Sequence, residues 1–169
     1  MMTLPKPEYM PLSHDPAIQT LIQTIDYLSQ HQIGALMIIE RQTPLTEHDV
    51  LRPGVLLKLS LTQENLVRIF RPSSPLHDGA TQIRGQAIIA AGTLLPLSCQ
   101  PLPRRYGTRH LAALGISEQV SSCIGIVVSE ETGGVTLTHK GSFNNNLTLP
   151  QLQIYLQQLL LPPTTESLP

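Results

Sequence analysis

The chain has 169 residues, 41% hydrophobic and 14% charged, with a formal net charge of −1. That length and composition suit one domain with a buried core and exclude disorder driven by excess charge. No basic run exceeds Arg104-Arg105, which argues against a nucleic-acid partner, because such a surface needs clustered cations.

Residues 1–14 are proline-rich without periodicity and read as a loose leader, 15–162 as the folded domain, and 163–169 as a loose tail. Ser13 or Asp15 is placed to cap a helix with Pro16 in its first turn. Ile18, Leu21, Ile22, Ile25 and Leu28 then recur at helical spacing, and the helix should stop near 31–34. After Gly34 the apolar run 35–39 suits a buried strand ending at Glu40-Arg41. A connecting loop over 42–54 leads to a short strand at 55–59. Ser60 and Gln63 have capping-box spacing for a helix through Leu66, Ile69 and Phe70, which ends over 71–75.

Two strands, 80–83 and 86–91, flank a tight turn at Arg84-Gly85. A loop with three prolines reaches Tyr106, and Thr108 is placed to cap a short helix ending at Gly115. A strongly apolar strand at 124–128 turns through 130–134 into another at 135–138. Thr148 caps the last helix, whose core stripe is Leu149, Leu152, Leu156 and Leu159. Helices and strands interleave without an internal repeat, the pattern of a single α/β domain with a mixed central sheet flanked by helices.

No apolar run approaches membrane length, and no basic segment followed by an apolar one opens the chain. The two cysteines, Cys99 and Cys123, lack a CxxC spacing and read as buried free thiols in a reducing compartment. The expectation is a cytoplasmic domain with no membrane contact of its own, tethered only through a segment outside this sequence.

Three polar clusters interrupt the apolar pattern at strand ends and helix starts, where α/β folds build their sites. In Pro75-Leu76-His77-Asp78-Gly79-Ala80 a carboxylate sits on a turn where glycine lets a ligand approach the backbone, although Asp-Gly is also a common structural turn. Gly107-Thr108-Arg109-His110 places donors and a guanidinium fork at a helix start, suited to phosphate; it reads equally as a capped helix with solvated side chains. Ser129-Glu130-Glu131-Thr132-Gly133 could hold a hard cation or be an exposed turn. Together they supply an acid, a phosphate clamp and a second acid, the kit for metal-assisted phosphoryl or nucleotidyl transfer. Neither a Walker A pattern nor a dinucleotide glycine fingerprint is present. His14, His31, His48 and His139 are scattered without zinc spacing and read as surface or structural.

These clusters, in this order, resemble the diadenylate cyclase family, in particular its membrane-anchored type. The matching blocks are the segment 34–41, Ser74-Pro75-Leu76-His77-Asp78-Gly79-Ala80, Leu95-Pro96-Leu97-Ser98, the segment 107–118 and the segment 127–133, within roughly residues 20–145. The resemblance implies ATP as substrate, cyclic di-AMP as product and a face-to-face homodimer, weak enough to be transient, with one ATP per subunit. By that resemblance Asp78 would bind a divalent ion, Mg²⁺ or Mn²⁺, and help deprotonate the ribose 3′-hydroxyl. Gly79 and Ala80 would line the ribose and phosphate path, and Leu94 and Leu95 would flank the adenine. Thr108, Arg109 and His110 would hold the phosphates, with Gly107 also in the ATP site, Ser129 and Glu130 completing the wall and Glu131 as a second metal contact. Asp78, Arg109 and His110 would be the catalytic set. One position departs: the family's usual Arg-His-Arg reads Arg109-His110-Leu111 here. A cation is lost, which favours a binding-only sensor as the alternative unless Arg104 or Arg105 replaces it.

Overall fold

The structure, a computed structural model, describes residues 15–162. The leader, the tail, Ser13 and His14 lie outside the described residues. Four helices and seven strands follow in the order α1 (Pro16–Gln30), β1 (Ala35–Glu40), β2 (Val55–Ser60), α2 (Gln63–Phe70), β3 (Ala80–Arg84), β4 (Ala87–Thr93), α3 (Thr108–Gln119), β5 (Ile124–Val128), β6 (Val135–His139), β7 (Ser142–Asn144) and α4 (Leu149–Leu160). The strands form one mixed sheet, ordered β2-β4-β3-β1-β5-β6-β7. Only β1 and β3 are parallel; every other neighbouring pair is antiparallel.

β1 is apolar from Ala35 to Ile39 because both of its faces are covered. Ala35, Met37 and Ile39 pack with Ile18, Leu21 and Ile25 of α1, Leu66 of α2 and Leu152 of α4. Leu36 and Ile38 pack on the opposite face with Ala112, Ala113 and Ile116 of α3. The sheet is thus the middle of three layers, with one helix on one side and three on the other. β2 closes the sheet at one edge with Val55 and Leu56 exposed, and Lys58 at φ 51° sits in a register shift that breaks its pairing surface.

Several local expectations shift. Asp15 caps α1, its Oδ1 accepting from the Ile18 amide at 3.0 Å. Thr62, not Ser60, caps α2, because β2 continues through Ser60, which pairs with Ala87. The β3–β4 turn moves one residue on, to Gly85-Gln86, since Arg84 still pairs with Ala87. α3 runs through Gly115 to Gln119: the glycine admits the crossing backbone, where a Cβ would meet the Pro96 carbonyl and the Ser98 amide. β7 and a 3₁₀ turn at Glu47–Asp49 are additions too short to leave a periodic signal. Cys99 is exposed rather than buried; Cys123 is buried, and burial with the nearby Glu40 and Asp49 carboxylates pushes its thiol to about 12.

The far end of β1 is tied by a buried carboxylate and a half-buried guanidinium. Glu40 accepts from the Leu45 amide at 2.9 Å, from Gln82 at 3.2 Å, and from Arg84 Nε and Nη2 at 2.8 and 2.7 Å. Arg41 donates to the carbonyls of Ser122 at 2.6 Å and Leu159 at 3.0 Å, and to His139 Nε2 at 2.9 Å. Its guanidinium therefore joins β1, the start of β5, the end of β6 and α4.

Accepting from an arginine requires His139 to be neutral. Burial, then the positive charges of Arg41 and Lys140, lower its pKa to about 4. A depressed folded-state pKa means stability is present above the unfolded value near 6.5 and is lost as pH falls from there towards about 4. Urea midpoints measured between pH 7 and pH 4.5 are expected to fall, at up to about 1.4 kcal/mol per pH unit for each such histidine. His139→Asn, which can still accept from Arg41, should give a shallower slope; parallel slopes for the two proteins would remove His139 from this account.

Candidate active site

The parallel β1–β3 pairing starts with Met37 opposite Thr81, so the segments that lead into the two strands, carrying Gly34 and Asp78, lie at the same end of the sheet. The antiparallel β1–β5 pairing sets Ala35 opposite Val128, so the 129–134 turn emerges on the other flank of the same strand start. α3 lies on this sheet and brings its first turn to the same place. The three polar clusters therefore converge at the amino ends of β1 and β3, not at their carboxyl ends, where parallel α/β sheets usually carry ligands.

Arg109 is the meeting point. Its Nη2 lies 3.8 Å from Asp78 Oδ1 and its Nη1 lies 3.6 Å from Glu130 Oε2. Both distances are ion-pair contacts too long for hydrogen bonds, so the guanidinium donors are oriented but not consumed. The Arg109 side chain is 19% exposed, against 85% for Asp78 and 66% for Glu130. Its Nε is buried and has no hydrogen-bond partner among the described residues. Gly34 makes room for it: a Cβ there would stand 2.9 Å from Arg109 Nη1 and 3.1 Å from Glu130 Cβ. Glycine at 34 was legible as a helix stop, but its role as a seat for Arg109 was not.

Each turn is held by its own bonds. Gly79 has φ +88°, and a Cβ there would press on the Thr93 carbonyl and Gly92, so the turn bearing Asp78 is closed against the end of β4. His77, which the sequence left without a role, has Nδ1 bonded to the Ser74 carbonyl at 2.6 Å and Nε2 at 3.4 Å from Asp78 Oδ1. Ser129 Oγ accepts from the Glu131 and Thr132 amides at 3.3 Å each. Its side chain thus shapes the turn, with only the hydroxyl hydrogen left for a ligand. Ser29 of α1 donates to the Gly133 carbonyl at 2.6 Å and pins that turn from behind.

Gly107, not Thr108, is the cap of α3, and it offers no side-chain acceptor. The amides of the first turn consequently remain open to an anion. Gly107, Thr108, Arg109, His110, Ser129, Glu130 and Glu131 line one cleft of about 130 Å³, with Arg105 at its side. A larger hollow of about 640 Å³ lies at the far end of the sheet. Its charged groups Asp15, Glu40 and Arg41 are already bonded within the fold, so the chemistry belongs to the smaller cleft. Ala80 is buried beside Gly79, and Thr93 pairs with Ala80, which brings Leu94 to the Asp78 side. Leu94 is 44% exposed and Leu95 only 2%, packed in the core under α3, so of the pair only Leu94 presents its side chain at the surface. Among the described residues no three His, Cys, Asp or Glu side chains cluster. One or two carboxylates are nevertheless what an Mg²⁺-type ion takes when substrate phosphates complete its shell, and exposed Asp78 fits that pattern.

A model of the family described as "DisA bacterial checkpoint controller nucleotide-binding" matches residues 22–143. The chain belongs to that family. It is 41% identical over 145 residues to a diadenylate cyclase of Listeria monocytogenes serotype 1/2a (strain 10403S), covering 85% of this chain and 52% of the relative. It is also 41% identical over 141 residues to the cyclic di-AMP synthase CdaA of Bacillus subtilis (strain 168), covering 83% and 50%. The crystal structure of a double mutant of DacA from Staphylococcus aureus superposes with a TM-score of 0.80 at 37% identity, covering 86% of this chain and 96% of that one. The chain spans about half the length of the curated relatives it matches. Among the described residues no helix is long and apolar enough to cross a membrane.

His110 sits within this family's motif but is buried, its ring 4.9 Å from Tyr106 and 6.1 Å from Phe143. Burial, then the charge of Arg109, lowers its pKa to about 4, so it meets a ligand as a neutral imidazole. Its ring proton resonance followed by NMR should stay flat from pH 8 to pH 5 and move near pH 4. In Arg109→Ala the midpoint should rise, because one lowering charge is gone. A wild-type midpoint near 6.5 would contradict this environment.

Proposed function

We propose that this chain is a diadenylate cyclase domain, which condenses two ATP molecules into cyclic di-AMP with release of two pyrophosphates. The observation that carries the reading is Arg109, held at the start of α3 between the carboxylates of Asp78 and Glu130 at 3.8 and 3.6 Å. The family membership and the names of the relatives support it.

In each half-reaction the 3′-oxygen of one ATP forms a bond to the α-phosphorus of the other. The bond from that phosphorus to the bridging oxygen breaks, and pyrophosphate leaves. The hydroxyl proton passes to an Asp78 carboxylate oxygen, which stands exposed at the turn. The open amides of α3 and the Arg109 fork hold the phosphates in line and stabilise the charge that gathers on the leaving group. Glu130 keeps Arg109 oriented until the phosphates replace it as partner. Leu94 offers an apolar surface beside the Asp78 turn for the adenine. Mg²⁺ or Mn²⁺ at Asp78, with Glu131 as second contact, would neutralise phosphate charge during the transfer.

A single chain carries one set of these groups, whereas the ring needs the same transfer twice. Two domains face to face around a two-fold axis present both reactants symmetrically. A binding-only sensor of ATP or cyclic di-AMP is the second reading, favoured by Leu111 at the position where the family usually has arginine.

Incubation with ATP and Mg²⁺ or Mn²⁺, followed by separation of the nucleotides, distinguishes the two readings: cyclic di-AMP is the expected product, and its absence from an ATP-bound protein would leave the sensor. Asp78→Asn should lower product formation by roughly a hundredfold or more while leaving the melting temperature and much of the ATP affinity in place, as for loss of a general base. Retained turnover in that variant would remove Asp78 from catalysis. Specific activity should also fall on dilution, because a weak dimer's population rises with the square of monomer concentration. Constant specific activity in a preparation that sediments as monomer throughout would exclude the face-to-face arrangement.

A further inference from the structure

Loss of the usual arginine at position 111 leaves a charge deficit that the structure locates. Leu111 is half-buried, and its carbonyl accepts from the Ser98 amide at 3.0 Å, so this face of α3 lies against the 96–98 segment. The remaining cation of the motif, Arg109, is shared between Asp78 and Glu130, and Glu131 lines the same cleft. Arg109 alone is thus outnumbered by carboxylates, a poor field for a polyphosphate.

Arg105 redresses the balance. It lines the cleft together with Arg109 and the first turn of α3. Its guanidinium carbon lies 4.9 Å from the centroid of the Tyr106 ring. That ring is fixed on three sides: Phe143 packs edge-on at 4.9 Å, His110 tilts against it at 4.9 Å, and Asn145 donates to its hydroxyl. A guanidinium laid on an aromatic ring keeps its edge donors free, which suits bidentate phosphate recognition. Among the described residues Arg105 takes part in no ion pair within 4.0 Å.

We propose that Arg105 is a second phosphate-binding residue of this chain, stacked on Tyr106 and directed at the outer phosphates of ATP in place of the cation missing at position 111; the assignment rests on the cyclase reading above. Tyr106, Phe143 and Asn145 act through it as positioning residues.

Equilibrium binding of ATP and of AMP, with steady-state kinetics, on the whole chain and on Arg105→Ala and Arg105→Lys provides the test. Arg105→Ala should weaken ATP binding and raise KM about tenfold or more, with kcat much less affected and the melting temperature unchanged. AMP, which lacks the outer phosphates, should bind both proteins alike, and Arg105→Lys should fall between them. Leu111→Arg in the Arg105→Ala background should recover part of the lost affinity. Unchanged ATP binding in Arg105→Ala, or equal weakening of ATP and AMP, would overturn the assignment. Arg105-dependent ATP binding without cyclic di-AMP formation would sink the cyclase reading and leave Arg105 in place; a wild-type chain that binds no ATP would sink both.

Discussion

A guanidinium kept largely out of solvent, with two exposed carboxylates just beyond hydrogen-bond distance, governs how this molecule is put together. Arg109 can lie there only because Gly34 has no side chain, because the β1–β3 register brings Asp78 alongside, and because β5 delivers Glu130 from the opposite flank. Four segments far apart in sequence are thereby committed to one point. The ion pairs themselves are weak, with long distances and exposed acids, so they contribute little to stability. They hold a charge in place and leave it available to a ligand that competes better for it.

The two ends of β1 use the same residue types in opposite ways. At its carboxyl end the buried Glu40 and the half-buried Arg41 are engaged by bonds of 2.6 to 3.2 Å to backbone and side chains of neighbouring elements. Such a network specifies which strands and helices meet, and removing one partner would strand a buried charge. At the amino end the charges are spaced, partly solvated and short of partners. Rigid construction at one end and unsatisfied donors at the other are what a preorganised site needs. The position of the cleft, at the amino ends of the parallel pair, follows from where α3 begins, since Gly107 leaves the amides of its first turn without a side-chain cap.

The aromatic group beside that turn extends the same logic. Tyr106, His110 and Phe143 come from a loop, a helix and the short strand β7, and together they remove water from around His110 and give Arg105 a surface to rest on. A neutral histidine adds no repulsion to the neighbouring Arg109 charge, which together with burial keeps it unprotonated.

Much was already determined by local chemistry in the sequence. The buried strand at 35–39, the capped last helix with Thr148 and Gln151, and the Asp-Gly turn before β3 are set by side-chain periodicity and backbone preference within a few residues. Three polar clusters stood out for the same reason, as breaks in an apolar pattern. What only the tertiary structure decided are the features that depend on residues meeting across the chain. Gly115 looked like a helix stop until the 96–98 backbone was seen to cross it, and Ser60 looked like a cap until β2 paired through it with β4. The seat that Gly34 gives Arg109, the platform that Tyr106 gives Arg105, and the burial that keeps Leu95 from the surface have no periodic signature. The first and last are packing relations between segments far apart in sequence, and the Tyr106 ring, though next to Arg105, is fixed by Phe143 and Asn145 from the far end of the chain.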